Sequence, residues 1–215
     1  MPLTQTIRGS LLRARVLGGF LRNSFVFKLK RQALRPRYWF NRVSLIVVDM
    51  DGTLFDADAG NVGLRMLYPD MIDRARMGDI LYEGMLHKLS QGTSTVEETI
   101  LDGNRLLQYR NFKRSDLKKV LNLIWPTLRK EFVSALNDIR REKDVTIILA
   151  TLSSSEFANL VNKRLRREMG FEFDGVIGTT LSFDKKEKMT GVKEILGLKN
   201  GKTRGVKVRT KLKAI

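Results

Sequence analysis

Two carboxylates, Asp49 and Asp51, stand one residue apart in the stretch Leu45-Ile46-Val47-Val48-Asp49-Met50-Asp51-Gly52-Thr53-Leu54-Phe55. A carboxylate can attack phosphorus and form a covalent intermediate. A second carboxylate on the same side can carry the proton, provided its surroundings keep it from being permanently ionised. A divalent cation would offset the repulsion between such a pair and an anionic substrate. Positioning falls to the residues on either side. The four apolar residues before Asp49, three of them β-branched, read as a buried strand. Side chains alternate along a strand, so Asp49 and Asp51 share a side if extended geometry continues to that point. Gly52 allows a sharp turn where the strand stops. Acidic groups delivered at the carboxyl end of a parallel strand occupy the usual ligand position of an open α/β sheet.

A second strand is legible at Val145-Thr146-Ile147-Ile148-Leu149-Ala150, ending at Thr151. Ser153 and Glu156 then have capping-box spacing, and Phe157, Leu160, Val161 and Leu165 supply the face of the next helix. A strand, a hydroxyl and a helix start together make an anion site, because the free N–H groups of the first helical turn point toward it. Phe171 through Thr179 reads as a loop entering a short third strand. Thr180 through Phe183 reads as another extended piece, with Thr190-Gly191 after a charged turn.

Between the two strong strands the pattern is helical. Thr95 and Glu98 have capping-box spacing ahead of Val96, Ile100 and Leu107, and Leu117, Val120, Leu121 and Ile124 repeat at three and four. Pro126 marks a boundary. A further stripe runs through Leu128, Phe132, Ala135, Leu136 and Ile139. Asp56, Asp58, Arg65, Arg74, Arg76 and Arg105 are candidate substrate contacts, whereas His87, the only histidine, supplies no zinc-type cluster.

The 215 residues can bury one substantial core, and a hydrophobic content of 42% suits a globular domain. With no cysteine, thiol nucleophiles, thiolate ligands and disulfides are excluded. No apolar run approaches the roughly 20 residues that span a bilayer. The net charge of +17 is concentrated at the ends. Residues 1–42 hold ten Arg/Lys and no Asp/Glu, and residues 185–215 hold eleven against two, leaving 43–184 with nineteen basic and twenty-one acidic residues. Residues 1–42 mix arginine with apolar side chains, a composition suited to RNA, to an anionic membrane surface, or to organellar targeting.

The strand followed by Asp49-Met50-Asp51-Gly52-Thr53 resembles motif I of the haloacid dehalogenase-like (HAD) hydrolase superfamily. The resemblance implies an α/β, Rossmann-like core with a predominantly parallel sheet and an inserted helical cap. It implies Asp49 as nucleophile, forming an aspartyl-phosphate, and Asp51 as acid/base. Thr151 resembles the motif II hydroxyl that binds a phosphoryl oxygen. The Phe173-Asp174…Val176-Ile177-Gly178-Thr179 passage resembles the phosphoserine-phosphatase-like branch. Gly205-Val206-Lys207-Val208 resembles the motif III lysine, with Lys202, Lys211 and Lys213 as alternatives. Asp58 lies at about the remove of a substrate-binding glutamate in some phosphoserine phosphatases. The implied cofactor is Mg2+, held by Asp49 and the Asp51 carbonyl, and the implied partner is a small phosphorylated substrate.

The expected organisation is a basic extension over 1–42, a core over 43–55 and 127–210, a cap over 56–126, and a basic tail over 211–215. The expected location is cytoplasmic, or organellar if residues 1–42 act as a targeting segment. The sequence reaches Ile215 without the fourth, acidic motif of active members. A fragment, a truncated product with weak magnesium affinity and weak turnover, or a non-catalytic HAD-fold protein whose basic ends contact RNA or a membrane would each show this pattern.

Overall fold

The computed structural model describes residues 44–195. The extension over 1–42, the tail over 211–215, and Lys202, Lys207, Lys211 and Lys213 lie outside the described residues.

Strand β1 (Leu45–Val48) leads into helix α1 (Ala59–Leu67), a hairpin of β2 (Met71–Ile72) and β3 (Ala75–Arg76), and helices α2 (Met77–Ser90), α3 (Val96–Tyr109) and α4 (Asp116–Ile124). A 3-10 turn over Trp125–Thr127 precedes α5 (Lys130–Glu142), β4 (Thr146–Ser154), α6 (Ser155–Met169), β5 (Gly175–Phe183) and β6 (Met189–Glu194). The main sheet has the order β1-β4-β5-β6. β1 and β5 both run parallel to β4, and β6 returns antiparallel along β5. The α/β class with a mostly parallel sheet is therefore as the sequence indicates.

The core forms where the apolar patterns meet. Ile147 and Leu149 of β4 are fully buried, as are Ile124 at the end of α4 and Val161 and Leu165 of α6. The α3 capping box forms as its spacing predicts, with Thr95 and Glu98 exchanging side-chain and backbone bonds. Leu117, Val120, Leu121 and Ile124 all face inward.

The α5 stripe faces the core as its spacing indicates: Leu128 and Leu136 are buried, Phe132 and Ile139 pack against the core partly buried, and Val133 adds to the same face. Three readings need correction. Among the described residues β1 stands at the edge of the sheet, and it is not buried on both faces: Val48 is buried but Val47 is 54% exposed. The two extended pieces after Phe173 are one nine-residue strand, β5, whose first half pairs with β4 and whose second half pairs with β6. Finally, the cap of α6 is Ser154, which accepts the Phe157 N–H, because β4 continues through Ser153. Glu156 instead ion-pairs with Arg114 at 3.2 Å.

Candidate active site

Val48 is in register with Leu149, so β1 ends beside β4 at the carboxyl end of the sheet while β4 runs on to Ser154. Beyond Val48 the chain turns at once. The Met50 carbonyl accepts the N–H groups of Leu54 at 2.9 Å and Phe55 at 3.1 Å, and Gly52 sits at φ +72°, where a side chain would be strained. Met50, Leu54 and Phe55 are fully buried and anchor this turn. Arg129 braces it from behind: its guanidinium donates to the Asp56 carboxylate at 2.6 Å, and its N–H donates to the Leu54 carbonyl at 3.0 Å.

The turn separates the two acids. Asp49 is exposed, with the Thr53 hydroxyl 3.4 Å from one carboxylate oxygen. Asp51 is drawn inward. Its Oδ1 accepts the N–H of Ala59, at the start of α1, at 2.8 Å. Its Oδ2 accepts the Ser153 hydroxyl at 2.6 Å and the Thr151 hydroxyl at 3.2 Å. Thr151, itself buried, also accepts the Ser153 N–H at 3.0 Å. Residues 100 positions apart in the chain thus meet on one carboxylate.

Burial is the main force on Asp51 and pushes its carboxyl up from an ordinary 3.8 to about 6, with the negative charge of Asp58 adding to the rise and Asp49 contributing less. The bonds from Ser153 and Ala59 pull the other way. An acid that titrates near neutrality can both give and take a proton under physiological conditions.

Asp58 caps α1 by accepting the Asn61 N–H at 3.0 Å. Tyr82, on α2, lies beside the same carboxylate, and burial followed by the Asp58 charge pushes its phenol well above the ordinary range. The arginines drawn from the sequence stand elsewhere: Arg65 pairs with Asp79 at 3.3 Å and Arg105 with Asp102 at 2.8 Å, while Arg74 and Arg76 are exposed on the β2–β3 hairpin. His87 is exposed on α2.

No family model and no curated protein matches the chain. Solved structures do. A phospho-aspartyl intermediate analogue of phosphoserine phosphatase superposes with a TM-score of 0.55 at 17% identity, over 80% of this chain and 73% of that one. A substrate-bound phosphoserine phosphatase complex gives 0.57 at 14% identity, over 81% and 73%. A HAD family hydrolase from Salmonella enterica serovar Typhi gives 0.58 at 15% identity, over 79% of this chain and 52% of that one. The chain has a HAD-like, phosphoserine-phosphatase-like fold.

Within this HAD-like fold, Asp49, Asp51, Thr151 and Asp58 gather at one end of the sheet. Sequence reasoning missed Ser153 as a partner of Asp51, assigning it to a helix cap. The available signal was alternation: if β4 runs on, Thr151 and Ser153 face the same way. Tyr82 and Arg129 carried no comparable signal, since each reaches the site from a distant element.

Gly178 of β5 fixes the approach of this HAD-like segment. A Cβ there would lie 2.8 Å from the Ser153 carbonyl oxygen and 2.8 Å from the Ser155 nitrogen. Gly178→Ala must therefore displace the backbone that carries Ser153 to Asp51. A loss of about 1–3 kcal/mol in denaturant unfolding is expected. An unchanged midpoint and slope would show that this close packing is dispensable.

Proposed function

We propose that this chain is a phosphohydrolase that removes the phosphoryl group from a small phosphomonoester through an aspartyl-phosphate. The observation that carries this reading is the pairing of an exposed carboxylate, Asp49, with a second, Asp51, which Ala59, Thr151 and Ser153 hold in place and which burial pushes up to about 6, close enough to neutrality to give and take a proton.

Asp49 attacks phosphorus while Asp51 gives its proton to the departing alcohol oxygen. Asp51 then takes a proton from water as that water attacks the acyl phosphate, which releases inorganic phosphate and restores Asp49. The Thr151 hydroxyl has one proton, and it is directed to Asp51. Binding a phosphoryl oxygen through Thr151 requires this hydroxyl to turn, with Ser153 continuing to hold the acid. Lys207 is proposed as the cation that balances the nucleophile and the phosphate. The helices of 56–126 are proposed to act as the cap, excluding water from the transfer.

Magnesium suits the donors available, because it is a hard cation that takes one or two carboxylates and completes its shell with water and substrate phosphate. Asp49 and the Asp51 carbonyl would hold it, since the Asp51 carboxylate already accepts three protein bonds. No group of three or more acidic or imidazole side chains able to hold a metal occurs among the described residues. When bound, the ion would neutralise charge on the phosphoryl oxygens.

The test is a panel of small phosphomonoesters assayed with magnesium and with EDTA. Release of phosphate that needs the ion is expected. Failure to release phosphate from any member, or equal rates in EDTA, would count against the reading.

A further inference from the structure

A cavity of about 270 Å³ lies among α1, α2, α3, α4, the start of α6, the end of β4 and the middle of β5. Asp58 and Ser153 stand in its wall, the latter by the same residue whose hydroxyl reaches Asp51 at 2.6 Å. Most of the rest of the wall is apolar, including Leu64, Met85, Ile100, Leu107, Phe157 and Leu181. Protein interiors pack closely, with few voids larger than a water molecule, so an apolar space of this size beside a candidate site needs a reason.

Two features of the wall narrow what can enter. First, the described residues that line it include no lysine or arginine, and the only charged side chain among them is Asp58. A carboxylate or second phosphate placed there would be buried without a partner and next to a like charge, a costly arrangement. The Asp58 carboxylate already accepts the Asn61 N–H and has the Tyr82 phenol beside it, so it is poorly placed to recruit an ammonium group. Second, glycines hold part of the space open. A Cβ at Gly63 would meet Leu107 at 3.6 Å, and one at Gly103 would meet Met85 at 3.6 Å, both ordinary contact distances. A larger side chain at Gly103 has to project among the apolar groups of the wall.

We propose that this cavity binds the alcohol portion of the substrate, and that this portion is an uncharged apolar chain rather than an amino acid, a hydroxy acid or a polyphosphorylated group. The proposal rests on the phosphohydrolase reading above and gives it a substrate class: monophosphate esters of apolar alcohols. The phosphate would lie at Asp49, outside the apolar wall, and the chain would run past Ser153 into the space between the helices.

The experiment uses the full chain and measures kcat/KM in magnesium for ethyl, butyl and hexyl phosphate, with phosphoserine and phosphoglycerate alongside. Each added methylene is expected to raise kcat/KM by about fourfold until the cavity is filled. With four methylenes added, hexyl phosphate should therefore exceed ethyl phosphate by up to roughly 250-fold, and should exceed both carboxylate-bearing esters. Gly103→Leu, which fills the space, should collapse the hexyl-to-ethyl ratio toward one. The length series on the unaltered chain stands whether or not that variant folds. A flat series, or a preference for phosphoserine or phosphoglycerate, would overturn the apolar assignment while leaving the phosphohydrolase reading intact.

If no ester is hydrolysed, that reading fails and calorimetry decides the cavity separately. Hexylphosphonate binding that exceeds ethylphosphonate binding and weakens in Gly103→Leu would support the apolar pocket. Equal or absent binding of the two phosphonates would overturn it.

Discussion

Asp49→Asn is expected to lower turnover of any phosphomonoester that the chain hydrolyses by at least about a thousandfold. The amide keeps the size of the side chain but is a poor nucleophile toward phosphorus, so the covalent path closes. The fold should not suffer. Asp49 is exposed, and its one side-chain hydrogen bond among the described residues, from Thr53, is long at 3.4 Å. Denaturation midpoints of the variant and the parent should therefore agree. Turnover within tenfold of the parent would remove Asp49 from the nucleophile's role. A collapse of both turnover and stability would instead point to a structural part for this carboxylate.

Asp51→Asn should raise stability, where Asp49→Asn leaves it unchanged, and should have a comparable effect on rate. Desolvation raises the folded-state value of Asp51 from 3.8 to about 6, so the native chain binds this proton more tightly than the unfolded chain does. The contribution of Asp51 to stability is thus most favourable below the unfolded value and is lost as pH rises through about 6. Above that point the ionised group costs on the order of 3 kcal/mol, at about 1.4 kcal/mol per pH unit. An asparagine is never ionised and escapes the cost. In EDTA at pH 7 the variant should be more stable than the parent by roughly that amount, and the gap should close as pH falls from 6 toward 4. Turnover should fall by about 10²- to 10⁴-fold, because no group remains to protonate the leaving oxygen. A variant that is less stable than the parent at pH 7 would mean that the bonds from Ala59, Ser153 and Thr151 outweigh desolvation. That result would undercut the assignment of Asp51 as a proton-carrying acid.

The different expectations for these neighbours come from the turn at Met50, and it explains what the sequence could and could not disclose. The β-branched runs at 45–48 and 146–150 announce their strands, because no other element tolerates such residues so well, and their parallel pairing follows from the helices between them. The likeness of Asp49-Met50-Asp51-Gly52-Thr53 to a known motif pointed to the right end of the sheet. Simple alternation did not predict the division of labour within it. Because β1 stops at Val48, Asp49 is left in solvent and Asp51 is carried to Ala59, Thr151 and Ser153.

The misassigned cap at Ser153 has a similar origin. Three consecutive serines offer equal capping chemistry, and only the extent of β4 determines that Ser154 caps while Ser153 faces Asp51. The cavity was not legible at all. Its wall is assembled from five helices and two strands, and no periodicity within one helix reveals whether its apolar face meets a neighbour or a space.

The account turns on a covalent bond between Asp49 and phosphorus, and that bond can be trapped. The full chain, turning over a labelled phosphomonoester in magnesium, is quenched in acid and treated with borohydride, which reduces an acyl phosphate to the alcohol. Peptide mapping is then expected to find the reduced residue at position 49, in an amount that depends on substrate, and none in Asp49→Asn. Label or reduction at another residue, or steady turnover with neither, would contradict a reaction that passes through Asp49.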